Sequence, residues 1–180
     1  NNSLDKDMFV ARLDASLGFV WARGTGGNGD VEGTGIAADN SQAYVTGVYE
    51  GSAIFPNTTL SSLVKNSFLT AYDSQGNVSW VSDFSSTGEV ESAGISVDNT
   101  GRVLVTGAIQ STTDFGSLTL SNISGQDAFI AGFNVSGGAL LVKGAGGTET
   151  SGSDLLADPA GNVVLTGSFS TTGFFDNITV

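Results

Sequence analysis

The side chains of this sequence that could take part in chemistry are carboxylates, because the chain has no histidine and no cysteine. That composition excludes Ser-His-Asp and Cys-His catalysis and ordinary zinc sites. Carboxylates recur in glycine-rich segments: Asp30 with Glu32, Glu89 with Glu91, and Glu149 at the same place once more. Two carboxylates suffice for glycoside hydrolysis. An active site needs one special place, however, and recurrence therefore predicts that the chain is not an enzyme.

The same acidic segments leave calcium open as an alternative, since calcium takes about six to eight oxygen ligands. The sequence contains no Asp-x-Asp-x-Asp-Gly ligand run. We therefore expect no cofactor, with solvated acidic loops as the simpler interpretation. Residues 26–29 and 144–147 are rich in glycine like phosphate loops, but no Lys-Ser/Thr pair follows either of them.

Asparagines supply another set of candidate sites. The sequence has six Asn-x-Ser/Thr patterns for N-glycosylation, at Asn1, Asn57, Asn77, Asn122, Asn134 and Asn177. They fall in predicted turns and tails, where a glycan has room, which makes them candidate acceptors in a host with the machinery. The alternative is that Asn and Ser simply favour turns.

The elements that position these residues form a sequence repeat that is present in three tandem copies. Two landmarks recur every 60 residues, a mid-strand glycine and a following phenylalanine: Gly47, Gly107 and Gly167, and Phe55, Phe115 and Phe175. A fixed period of this size indicates a repeat architecture. It predicts one domain over 1–180, with repeats at approximately 1–60, 61–120 and 121–180.

Each repeat contains four short apolar runs with the alternation of β-strands, and no helical period occurs. In the first repeat they cover residues 9–14, 19–23, 36–39 and 43–49, with a glycine-rich acidic loop over 24–33. We expect the mid-strand glycines to mark close packing between neighbouring sheets, and the tail phenylalanines to wedge between sheets. An aspartate closes each third run and is expected to cap the following turn: Asp39, Asp98 and Asp158.

Tandem four-stranded units favour an all-β fold built of β-propeller blades. The segments 94–107, 114–116 (Asp-Phe-Gly) and 127–131 (Asp-Ala-Phe-Ile-Ala) resemble the bacterial β-propeller repeat family often labelled SBBP. The resemblance covers essentially the whole chain. It implies secreted or cell-surface proteins, often large and multidomain, and it brings no catalytic residues. The sequence departs from the pattern in a shortened first turn and in Leu141, which replaces Trp21 and Trp80 of the other copies.

Three blades are too few for an ordinary ring, because propellers usually have about four to eight. The chain also starts mid-blade, so its first two strands must pair with strands of another repeat. Three arrangements stay open: a piece of a larger ring, two chains closing a six-bladed ring, or head-to-tail contacts that build a filament. We favour a multi-blade ring, and expect partners to be other copies of the chain or further repeats of the same protein.

Composition limits which partners and which location are expected for the protein. The net charge is −12, and six basic residues are spread singly along the chain. Without a basic cluster, neither nucleic acid nor an anionic membrane surface is an expected partner. No apolar run reaches the ~18 residues of a membrane span, and the absence of a signal peptide fits a mature or excised segment. A low fraction of charged residues together with 26 glycines is typical of an extracellular or cell-surface protein.

These observations favour a non-catalytic extracellular β-propeller module with a structural, adhesive or protein-interaction role, including a filament or surface-layer building block. One alternative is a carbohydrate-binding propeller that stacks aromatic side chains on surface glycans. Its candidate residues are Trp21, Trp80, Tyr44, Tyr49 and Tyr72. A second alternative is a glycoside-cleaving propeller that depends on Asp and Glu.

Overall fold

A computed structural model describes residues 5–123 and 125–180, of which 66% lie in β-strands, and no helix occurs among them. The predicted all-β class is confirmed. The first strands are β1 (Met8–Leu13), β2 (Phe19–Asn28), β3 (Val31–Ala38), β4 (Ala43–Phe55) and β5 (Thr58–Tyr72). They are followed by β6 (Val78–Ser86), β7 (Val90–Val97), β8 (Val103–Ile109), β9 (Thr113–Phe115) and β10 (Leu118–Leu120). The last are β11 (Asp127–Phe133), β12 (Ala139–Gly147), β13 (Ser151–Ala157), β14 (Val163–Ser168), β15 (Gly173–Phe175) and β16 (Ile178–Thr179).

The strands build two complete four-stranded antiparallel units and two pairs. The first unit has the order β3-β4-β5-β6, and the second has the order β7-β8-β11-β12. The leading pair is β1–β2, and the trailing pair is β13–β14. Consecutive units pack through the strand that begins each of them, β3 against β7 and β7 against β13. These three strands are called the innermost strands below. Within the described residues the sheets do not close into a ring.

The predicted tail of each repeat is a β-hairpin that reaches back to the preceding unit. The far end of β4 pairs with β2, β9 pairs with β6, and β15 pairs with β12. Phe55 and Phe115 are buried between units, where Phe55 meets Phe68 and Phe115 meets Phe129 at centroid distances of 5.4 and 5.0 Å. The hairpin therefore adds backbone pairing to the expected apolar wedge.

The glycine-rich loop predicted over 24–33 is mostly strand. β2 continues to Asn28, because Gly26 and Gly27 pair with Ile54 and Ala53 of the hairpin. This partner lies more than twenty residues away in the sequence, so local composition does not reveal it.

Two apolar clusters fill the spaces between consecutive units. One joins the leading pair to the first unit and includes Met8 and Val10 together with Phe68 and Tyr72. The other joins the first and second units through a larger set of side chains: Tyr44, Leu69, Phe84, Ile95, Val105, Ile109, Phe115, Phe129 and Phe133. The faces that the first and second units turn toward each other are therefore covered, whereas the opposite face of the first unit is open beside β3, where Ile36 is exposed.

Candidate functional site

The recurring carboxylates form structural contacts that repeat from one unit to the next. Lys6 Nζ lies 2.6 Å from Glu32 Oε1, and Lys65 Nζ lies 2.6 Å from Glu91 Oε1. The hydrogen bond from each lysine to its glutamate raises the pKa of that lysine. Lys6 precedes β1 and Lys65 lies within β5, and each pairs with a glutamate in the first strand of a complete unit. A repeated structural contact therefore accounts for the recurrence of these glutamates.

The remaining acidic residues of these loops also have local partners. Asp30 accepts a bond from the backbone N of Lys6 at 2.9 Å. Glu89 accepts from Gln110 Nε2 at 3.1 Å, and Glu149 accepts from Ser170 Oγ at 2.9 Å. In the part of the chain that the structure describes, no group of three or more Asp or Glu side chains is arranged to hold a metal ion.

The turn aspartates bind the backbone of the turns that they begin. Asp39 Oδ1 accepts from the backbone N atoms of Ser41 and Gln42 at 2.7 and 2.8 Å. Burial raises the pKa of Asp39, but these hydrogen bonds outweigh it, so that the pKa lies below its ordinary value. Asp98 and Asp158 accept the equivalent pairs of backbone bonds.

Gly47, Gly107 and Gly167 approach the backbone of their own sheet most closely, and Gly47 also meets the neighbouring sheet, where Ser92 Oγ donates to its carbonyl at 3.1 Å. A Cβ on them would lie 2.3, 2.0 and 2.0 Å from the carbonyl oxygens of Glu32, Glu91 and Ser151 respectively. Those carbonyls belong to the adjacent strand of the same sheet, at a β-bulge that recurs in all three repeats. A bulge brings two backbones together, and only glycine leaves the space.

Two further positions where neighbouring units approach closely, Gly35 and Gly94, were not predicted from the sequence. A Cβ on Gly35 would lie 2.9 Å from Ile95 Cγ2, and one on Gly94 would lie 2.6 Å from Asp154 Cα. Both glycines lie in the innermost strands. The sequence signal for these positions is a glycine that immediately precedes an isoleucine at the same place in two repeats, Ile36 and Ile95.

The aromatic side chains proposed to stack on sugars are used in packing. Tyr44, Tyr49 and Tyr72 are buried. Tyr49 OH donates to Asp83 Oδ1 at 2.7 Å, and burial raises the pKa of both groups. Trp21 and Trp80 are half-buried, and each indole lies against the turn of the following unit. The three tyrosines therefore offer no open stacking face, and one face of each indole is occupied by a turn.

Four of the sequon asparagines lie exposed in turns: Asn57, Asn77, Asn134 and Asn177. Asn122 is half-buried, and its Nδ2 donates to the carbonyls of Ile109 and Gly125, so its amide is engaged where a glycan would attach. Asn1, and Ser124 of the Asn122 pattern, lie outside the described residues.

The strongest feature is the incompleteness of the leading and trailing pairs. Phe9 on β1 is 79% exposed, whereas its repeat equivalents Phe68 and Phe129 are 0% and 1% exposed. Leu13 is also exposed, whereas its equivalents Tyr72 and Phe133 are buried.

The trailing pair shows the same contrast. Thr166 on β14 is exposed, whereas its equivalents Thr46 and Thr106 are fully buried. Among the described strands, β1 pairs only with β2, and β14 pairs only with β13. Each pair therefore ends in an open edge whose side chains match buried positions elsewhere.

No family model matches the chain, and no curated protein matches it. Within the described residues, no helix is long and apolar enough to cross a membrane.

Proposed function

We propose that this chain is a non-catalytic, extracellular β-propeller module whose role is structural or adhesive and is exerted through protein–protein contacts. The observation that carries the proposal is the exposure of Phe9 against the burial of Phe68 and Phe129. Monomeric soluble proteins rarely leave contiguous apolar surface open, and such surface marks interaction sites. An unpaired strand edge is likewise a template for pairing with another chain.

The propeller part of the proposal is supported by the two complete units. Each is a four-stranded antiparallel meander, and consecutive units pack face to face through their innermost strands. That is the arrangement of adjacent propeller blades. The extracellular setting belongs to the proposal, on the basis of the sequence resemblance of segments 94–107, 114–116 and 127–131 to the SBBP repeats and of the low fraction of charged residues.

The non-catalytic part is supported by the use of the carboxylates. Glu32 and Glu91 are held by lysines at equivalent positions, and Asp39 and Asp98 are held by turn amides. Groups that repeat with the fold and bind the same partners each time are structural. Neither alternative from the sequence gains a site here, because the aromatic side chains are packed and the carboxylates are partnered.

Electron microscopy combined with sedimentation of the purified 180-residue chain tests this proposal. We expect discrete rings, particles or filaments, with an association that depends on protein concentration. A chain that stays monomeric at all concentrations, binds no other protein, and hydrolyses a glycan would contradict the proposal.

A further inference from the structure

We propose that β14 of one copy of this chain pairs antiparallel with β1 of a second copy. The trailing pair of the first copy and the leading pair of the second then form one complete four-stranded unit. This inference rests on the proposed interaction role and adds the identity of the partner and the register of the contact. Three independent features of the two edges support it.

The register follows from the two complete units. In them Val45 lies opposite Thr70, and Val105 lies opposite Ala131. The residues at the same repeat positions in the open strands are Leu165 and Ala11. The same comparison places Gly167 opposite Phe9, because Gly47 lies opposite Phe68 and Gly107 opposite Phe129.

A threonine hydroxyl on β14 occupies the position from which its repeat equivalents donate a hydrogen bond to the adjacent strand. Thr46 Oγ1 donates to the Phe68 carbonyl at 3.0 Å, and Thr106 Oγ1 donates to the Phe129 carbonyl at 2.7 Å. Thr166 occupies the third equivalent position and is exposed on the open edge. In the proposed register its hydroxyl donates to the Phe9 carbonyl of the second copy.

A cavity receives the Phe9 ring. A cavity of about 230 Å³ lies beside β14, and its lining is mainly apolar, including Ala128, Ile130, Leu165 and Phe175. In the complete units the phenylalanines equivalent to Phe9 contact Phe55 and Phe115, which are the repeat equivalents of Phe175. The cavity is therefore the place where the second copy's Phe9 side chain lies.

Leu17 and Leu141 both depart from the repeat pattern, and the proposed junction brings their side chains into contact. Trp21 packs on Gly76 of the following unit, and Trp80 packs on Gly137, where added β-carbons would lie 2.7 Å from the indoles. The third repeat has Leu141 in place of the tryptophan. The first repeat has Leu17 in place of the glycine. When β1 of a second copy joins β14, Leu141 meets Leu17, so a smaller side chain on one side matches a larger one on the other.

Leu17 has no evident benefit within a single chain. Its φ is +64°, a left-handed conformation that Leu rarely adopts, and its side chain is 77% exposed. Gly76 and Gly137 take the same left-handed conformation without strain. Strain of this kind points to a role for the residue, and contact with Leu141 of a neighbouring copy supplies one. This match favours a second copy of the chain over an unrelated partner or a different repeat.

A cysteine pair tests the register, since the native chain has no cysteine. We expect Ala11→Cys combined with Leu165→Cys to give disulfide-linked dimers or ladders under mild oxidation, because cross-strand partners lie within disulfide reach. The matched control is Ala11→Cys with Val164→Cys, which moves one thiol to the opposite face of β14. Equal crosslinking in both variants, or none in either, would overturn the register.

A double-mutant cycle tests the contact between Leu17 and Leu141. We expect Leu141→Trp alone and Leu17→Gly alone each to raise the dissociation constant of self-association roughly tenfold, and the double variant to recover most of the affinity. The double variant recreates the tryptophan–glycine pair of the other two interfaces. Circular dichroism and the thermal midpoint of dilute protein check that each variant folds. Additive effects of the two changes would contradict the contact.

The outcomes separate this inference from the proposed function. Self-association without register-dependent crosslinking, or crosslinking only to a different polypeptide, overturns the junction and leaves the interaction role standing. A well-folded chain that associates with nothing overturns both.

Discussion

The indole of Trp80 lies over Gly137 of the following unit, where an added β-carbon would be 2.7 Å from ring atoms. Its Nε1 also donates to the carbonyl of Val135 at 2.9 Å. Trp21 repeats both relationships with Gly76 and the Ser74 carbonyl. A tryptophan on the outer strand of one unit is thus fixed by the turn of the next, and consecutive units are joined at their outer edge as well as through their innermost strands.

We predict that Gly137→Ala destabilises the protein by about 1–3 kcal/mol, because the new methyl group meets the indole and alanine is strained at positive φ. Gly161→Ala is the matched control: its φ is +85°, close to the +82° of Gly137, and nothing lies within 4 Å of its added carbon. Urea unfolding of the two variants measures the difference. Equal losses of unfolding free energy would mean that the Trp80 contact contributes nothing.

Much of the fold could be predicted from the sequence, because the period of 60 and the alternation of apolar residues are local signals. The long β2 strand could not, since Gly26 and Gly27 have low strand propensity and are held by a distant hairpin. The contact partner of Gly47 was also out of reach, because a mid-strand glycine indicates a close approach without saying which backbone approaches.

The candidate site was harder to predict than the fold. Phe9 has the same sequence surroundings as Phe68 and Phe129, so its pattern predicts burial. Only the strand partners distinguish it, and these are a property of the assembled sheets. The replacements at Leu17 and Leu141 were visible in the sequence, but their relationship becomes apparent only when Trp21 and Trp80 are seen against their glycines.

The threonines at equivalent positions of the three repeats, Thr46, Thr106 and Thr166, give a second prediction. Thr46→Val and Thr106→Val should each lower the free energy of unfolding by about 1 kcal/mol, because each removes a buried hydroxyl donor while keeping the branched shape. Thr166→Val should leave the unfolding of the dilute chain unchanged and weaken self-association instead. Parallel urea titrations and sedimentation measurements check both halves. A loss of dilute-chain stability in Thr166→Val as large as in Thr106→Val would show that Thr166 already has a partner within one chain.

Acid should weaken the turn that Asp98 caps. Burial raises the pKa of Asp98, but hydrogen bonds from Thr100 and Arg102 and the Arg102 charge hold it below the ordinary 3.8. A depressed pKa contributes stability that is present above the unfolded value and is lost as the pH falls through the folded value. Asp98→Asn should therefore cost about 1–2 kcal/mol at neutral pH. The gap between protein and variant should close below about pH 4, and a gap that is independent of pH would contradict this account.

Salt should strengthen self-association. Each copy carries a net charge of −12, so two copies repel one another, while strand pairing and burial of Phe9 hold them together. Screening shortens the range of the repulsion from about 10 Å at 0.1 M salt to about 3 Å at 1 M. Sedimentation equilibrium over this range should give a falling dissociation constant, whereas a rising one would indicate an interface held by ion pairs.

Hydrogen exchange of the β14 amides tests the junction most directly, because it reports on the edge itself. At low concentration, the amides of Val163–Ser168 that do not face β13 should exchange as freely as those of an open edge. As the concentration rises, their protection should approach that of β8, which is paired on both sides. The account predicts matching protection in β1 over the same concentration range. Amides of β14 that exchange equally fast at every concentration, while the chain associates, would contradict it.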